Sequence, residues 1–198
     1  MYKKTLVAAM AALVCTAAVF AQETKTANGF DGSRFYGKLS VGRESRTDSW
    51  TISLGGTSFN KDLDTSLLVL TPTVGMMLMP DNDNFFLKGL AVEASLGLGF
   101  SDEGEEGCII PRADLVWYVP IPDSSIVPFA HVGMGLPILL KWWLWPASGP
   151  DTHAVNFELG AGLGVLFNVN ERVGLFADAR FAFGPSSGVA VSLGTRFK

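Results

Sequence analysis

The feature that most constrains this chain is a strict two-residue alternation. Leu90-Val92-Ala94-Leu96-Leu98-Phe100 is interleaved with Ala91-Glu93-Ser95-Gly97-Gly99, and Val173-Leu175-Ala177-Ala179-Phe181-Phe183 with Gly174-Phe176-Asp178-Arg180-Ala182. The same split runs through Val155 to Phe167 and through Val189 to Phe197. One set is apolar and the other is small or charged. Successive strand side chains point to opposite faces, so alternation of this length predicts β-structure. Eight such segments occur, at 34–43, 66–79, 86–101, 108–120, 126–138, 153–167, 171–183 and 188–198. Pro72 weakens the second, because proline gives no ladder hydrogen bond, and is expected near a rim where pairing lapses.

A membrane helix is the competing reading only for Ile126 to Pro146. Pro128 and Pro137 would break its interior, and Gly133 and Gly135 lower helix propensity. Disorder is excluded by composition: hydrophobic residues are 48% and charged residues only 17%, below the roughly 25% of an ordinary soluble domain. A net charge of −4 argues against nucleic acid as a partner.

The first residues read as an export signal. Lys3 and Lys4 form a basic start, Leu6 to Phe20 an apolar run, and Val19-Phe20-Ala21 a small-residue cleavage site. The expectation is a signal peptide over 1–21 and one domain over 22–198. Lipidation at Cys15 is the alternative, but Ala12-Leu13-Val14 fits a lipobox poorly. Cys108 is then the sole cysteine of the exported chain and reads as a small apolar residue.

The apolar set is assigned to the outside. Its partner set carries Gly97, Gly99, Gly133, Gly135, Gly160, Gly162 and Gly164 beside Lys38, Glu93, Arg112, Asp114, His131, Glu158, Asp178, Arg180 and Arg196. Glycine rows weaken a water-facing strand but fit the narrow lumen of eight strands, where buried charges must pair. Apolar side chains then meet hydrocarbon, and only a closed barrel satisfies every backbone group there. With the amino end in the periplasm, Phe35, Phe86, Trp117, Phe167 and Phe197 fall at one membrane interface. Phe100 and Phe183 fall at the other, with Trp142, Trp143 and Trp145 just above. Connections at 80–85, 121–125 and 168–170 are expected as short periplasmic turns, and 44–65 and 139–152 as longer outer loops.

The signal peptide, the eight alternating segments, the Gly-rich lumen positions and a last strand closing on Phe197 resemble the small bacterial outer-membrane β-barrels of the OmpA, OmpX, OmpW and opacity-protein type. Pro128-Phe129-Ala130-His131-Val132-Gly133-Met134-Gly135 is similar to the Pro-aromatic, Gly-x-Gly strand common in that group. The resemblance implies an all-β, eight-stranded antiparallel transmembrane barrel, an up-and-down meander with both termini periplasmic. It also implies outer-membrane lipid and the barrel-assembly machinery as partners. Lys198 follows Phe197, whereas the family's terminal aromatic is usually the last residue.

No cofactor, metal or catalytic group is expected. His131 reads as part of the interior network, and His153 beside Asp151 lacks a serine at triad spacing. Asp102 to Glu106 reads as a solvated turn rather than a calcium loop. The function implied is a non-enzymatic outer-membrane barrel with a largely plugged lumen, serving envelope structure or adhesin-like contact with an extracellular or host partner through the outer loops. The alternative is a narrow pore or a lateral route for small or apolar molecules.

Overall fold

The computed structural model describes residues 34–54, 57–101, 106–141 and 154–198. The expected signal peptide, His153 and Trp142, Trp143 and Trp145 lie outside the described residues. Ten strand segments are present: β1 (Phe35–Leu54), β2 (Thr57–Met77), β3 (Leu90–Ser101), β4 (Glu106–Tyr118), β5 (Ile126–Gly135), β6 (Ile138–Lys141), β7 (Ala154–Val155), β8 (Glu158–Asn168), β9 (Val173–Phe183) and β10 (Ser186–Phe197). One helical turn, α1 (Phe85–Lys88), precedes β3.

The segments form eight staves. β5 and β6 are one stave, interrupted at Leu136-Pro137, and β7 and β8 are another. The register across the break is unbroken, with Arg112 opposite Gly135 and Ile109 opposite Ile138. Pro111 and Pro137 bring no N–H to this stretch, so the ladder thins without slipping. Leu136 N–H still donates to Pro111 O at 3.0 Å, and Asn156 N–H to Pro137 O at 2.9 Å.

All pairings are antiparallel, each stave follows its sequence neighbour, and β1 pairs with both β2 and β10. The result is a closed eight-stranded up-and-down barrel with no free edge in its wall. Paired residues followed around the wall run Tyr36, Gly75, Glu93, Asp114, Gly133, Gly160, Ala182, Gly188 and then Arg46, ten positions along β1 from the start. A stagger of that size on eight strands tilts them by roughly 40° and sets a backbone radius of about 8 Å, so the interior has room only for side chains.

Four expectations are corrected. The span 44–65 is not a loop: β1 and β2 stay paired to Leu54–Thr57, and the six pairs from Ser49–Asp62 onward bond only to each other. This ribbon runs roughly 20 Å past the last shared wall pairs. Glu44, Arg46, Asp48, Asp62 and Asp64 mimic a solvated loop, but Trp50, Ile52 and Leu54 continue the alternation, and Gly55-Gly56 is a hairpin signal. Residues 85–88 are helical rather than stranded, because Asn84 caps the turn by accepting from Phe86 N–H. Pro72 lies mid-strand opposite Leu39, and the β2–β3 ladder resumes at Thr73. The sixth expected segment is split, with Asn156 and Phe157 between β7 and β8.

Candidate functional site

The wall carries its buried charges inside, beside two buried apolar clusters, and is apolar outside. Leu163 and Val74 are each 67% exposed and Leu193 is 62% exposed, all at outward positions. Glu158, by contrast, is fully buried at an inward position. A soluble barrel of this kind would hold its apolar residues in a dry centre. Here those residues form the outer surface, which suits hydrocarbon rather than water.

Parity places Lys38, Glu93, Arg112, Asp114, His131, Glu158, Asp178, Arg180 and Arg196 in the lumen, where they form two connected groups. The larger crosses the barrel. Arg112 on β4 donates from one nitrogen to both Glu44 oxygens on β1, at 2.8 and 2.9 Å, and from Nε to Glu158 Oε1 on β8 at 2.8 Å. Arg46 reaches Glu44 at 2.5 Å and Glu158 Oε2 at 3.0 Å. Arg180 on β9 donates to Asp114 Oδ1 at 2.5 Å. His131 stands beside it, with Nε2 3.0 Å from Asp178 Oδ1 and Nδ1 3.7 Å from Asp114 Oδ1.

The second group lies nearer the end that carries the chain termini. Lys38 Nζ is 2.6 Å from Glu93 Oε1, which also accepts from the Tyr36 hydroxyl at 2.6 Å and the Tyr118 hydroxyl at 2.8 Å. The ammonium sits 5.0 Å from the Phe129 ring centre and 5.2 Å from that of Phe176. Arg196 stacks on Tyr36 at 4.1 Å and Tyr118 at 4.7 Å. Tyr36, Ala91, Val116, Tyr118, Phe129, Leu166 and Phe176 pack around these cations as a buried cluster. Each cation here thus lies against a carboxylate or an aromatic face.

The glycines make this density possible. A Cβ on Gly160 would strike the Arg180 guanidinium, one on Gly162 the His131 ring, one on Gly164 the Phe129 ring and one on Gly75 the Tyr36 ring. Between the aromatic layer and the ion pairs remains a cavity of about 80 Å³, lined by Lys38, Thr71, Thr73, Ser95, Asp178 and Ser192 among others. That is room for a handful of waters.

Sequence reasoning missed Glu44, Arg46, Tyr36 and Tyr118. The first two fell in the supposed loop, although Lys38, Ser40, Gly42, Glu44 and Arg46 keep one parity. Tyr36 and Tyr118 carried no expectation, although their parity with Lys38 and Val116 was an available signal.

Of the interface aromatics, Phe35, Phe167 and Phe197 lie at the ends of β1, β8 and β10 on the side of the termini. Phe86 on α1 stacks on Trp117 with ring centres 5.3 Å apart, while Phe100 and Phe183 end β3 and β9 on the opposite side.

This fold has a counterpart among solved structures. Neisserial surface protein A is 14% identical with a TM-score of 0.61, over 83% of this chain and 96% of that one. The fold is that of a small outer-membrane β-barrel. The N-terminal barrel of Pseudomonas aeruginosa OprF is also similar, at 15% identity and a TM-score of 0.48 over 80% and 96% of the two chains. So is the outer-membrane enzyme PagL, at 17% identity and 0.45 over 82% and 98%. No protein-family model matches the sequence, and no curated protein matches it.

Proposed function

We propose that this protein is an integral, non-enzymatic barrel of a bacterial outer membrane, closed by its own side chains and serving envelope structure or surface contact. The observation that carries this reading is the bridge from Glu44 to Arg112, which crosses the lumen between staves that do not pair and is extended by Arg46, Glu158 and Arg180. Cations and carboxylates that face one another across so narrow a lumen support a barrel closed to ions. Both ring nitrogens of His131 face carboxylates, which favours a structural role over that of a general base.

The end bearing the termini carries the short turns at Pro120–Ser125 and Val169–Arg172, and the other end carries the β1–β2 ribbon. Short periplasmic turns and longer outer extensions orient the ribbon toward the outside. An epitope inserted between Leu54 and Thr57 is expected to be stained on intact cells, and one inserted at Asp123 only after permeabilisation. The reverse pattern inverts the orientation.

Planar-bilayer recording tests closure: the folded protein is expected to give no steady conductance. Regular openings of one size would replace the closed reading with that of a narrow pore. Incubation with outer-membrane lipid tests the enzymatic alternative, for which His131→Ala must abolish a lipid change made by the parent protein.

A further inference from the structure

Among the described residues, Arg196 is the lumen cation that pairs with no carboxylate. It is buried near the end of the barrel that carries the termini, stacked on Tyr36 and Tyr118. Its Nε has no hydrogen-bond partner, and its Nη2 donates to Met77 Sδ at 4.0 Å. A thioether is a weak acceptor, so this guanidinium is poorly satisfied. Met77 is the last residue of β2, opposite Ala91 on β3. Its side chain packs against the buried cluster that holds Tyr36, Tyr118, Phe129 and Phe176, yet it is only half-buried itself. The sulfur thus lies between a donor short of acceptors and the end of the lumen.

Oxidation changes that acceptor. The sulfur gives a lone pair to one oxygen of hydrogen peroxide, so that an S–O bond forms and the O–O bond breaks. The departing hydroxide takes the proton of the transferred hydroxyl and leaves as water. Sulfur is oxidised by two electrons and the peroxide is reduced by two. The new oxygen stands one bond beyond the sulfur. From a sulfur 4.0 Å from the guanidinium nitrogen, it comes within reach of the about 2.7–3.2 Å of an ordinary N–H···O bond. In an apolar core the added dipole disrupts packing. Here it meets a buried cation, and a hydrogen bond from a charged donor is among the strong ones. Met79 and Met134 are exposed to the same reagent, but neither they nor Met76 accept a hydrogen bond from a cation among the described residues.

We propose that Met77 is a site of oxidation by peroxide, and that its sulfoxide takes over the Arg196 hydrogen bond, so that oxidation braces this end of the barrel. The protein is folded in an uncharged detergent and treated with hydrogen peroxide until Met79 carries oxygen, as read by peptide mass spectrometry. Met77 is expected to carry oxygen as well, and a Met77 left as thioether overturns the proposal. Urea unfolding is then followed before and after treatment in the parent and in Arg196→Gln. Sulfoxides at the other methionines act alike in both backgrounds and cancel in the comparison. Treatment is expected to make Arg196→Gln about tenfold more prone to unfold than it makes the parent, which is the loss of one hydrogen bond to a charged group. An equal shift in the two backgrounds overturns the proposal. If Arg196→Gln does not fold, Met77→Gln is compared with Met77→Leu in the otherwise unchanged chain, because the glutamine amide oxygen stands where the sulfoxide oxygen would. Met77→Gln is expected to unfold at the higher urea concentration, and a Met77→Leu barrel of equal or greater stability overturns the proposal.

Discussion

The Glu44 carboxylate receives both of its Arg112 hydrogen bonds from a single guanidinium nitrogen, at 2.8 and 2.9 Å, through the lumen between β1 and β4, three staves away around the wall. The other edge of the same guanidinium is held by Glu158 at 2.8 Å. Arg112 is therefore a cross-brace, and its two carboxylates come from staves that share no backbone pairing with each other.

Glu158 should be the costliest of these groups to lose. It is fully buried and faces Arg46, Arg112 and Arg180. Glu158→Gln leaves three cations short of one negative charge, and breaking a buried pair from one side costs about 3–5 kcal/mol. Urea unfolding in detergent is expected to show a loss of that order. A change under about 1 kcal/mol would mean that the lumen is wet enough to screen the charges.

The lumen glycines give a steric test. Gly160→Ala drives a methyl into the Arg180 guanidinium and Gly162→Ala drives one into the His131 ring. Overpacking of this kind costs about 1–3 kcal/mol. Either variant is expected to lower the fraction that folds in detergent, whereas Ala161→Gly between them, at an outward position, is expected to change it little.

The polarity of the wall can be tested from outside. Leu163 is 67% exposed and central in β8. In a bilayer, Leu163→Arg is expected to destabilise the barrel by about 2–4 kcal/mol. In water an exposed arginine would be nearly neutral. Unfolding from lipid vesicles against unfolding from the parent reads the difference directly.

The phenols on Glu93 make a fourth prediction. Tyr36 and Tyr118 donate to the same carboxylate oxygen that Lys38 approaches. Hydrogen bonds to a charged group contribute about 1.5–3 kcal/mol, so Tyr118→Phe should cost that much. The double change with Tyr36→Phe should be non-additive, because the two hydroxyls share one acceptor. A double-mutant cycle in urea measures the coupling, and strict additivity would count against a shared acceptor.

Much of the fold was legible in the order of residues. The parity of Leu159, Ala161, Leu163 and Val165 against Glu158, Gly160, Gly162 and Gly164 determined which side chains share a face, because the pleat admits only two directions. The count of staves followed from the number of such runs, and the narrow lumen followed from the glycines. The extension of β1 and β2 was obscured because Glu44 and Arg46 carry charges that are ordinary in a loop. Only burial against Arg112 and Glu158 gives those charges a place in a strand.

What the sequence could not decide is height. Parity says that Glu44 and Arg112 both face inward, but not that they meet. Their meeting depends on how far each stave slides past the next, and that sum is settled only when β10 closes on β1 ten positions along from the start. Alternation is a local property of the pleated backbone, so the chain carries it in its own residues. Registry is a property of the closed ring, in which hydrogen bonds, the packing of Tyr36 and Phe129 around Lys38, and the pairing of buried charges are satisfied together or not at all.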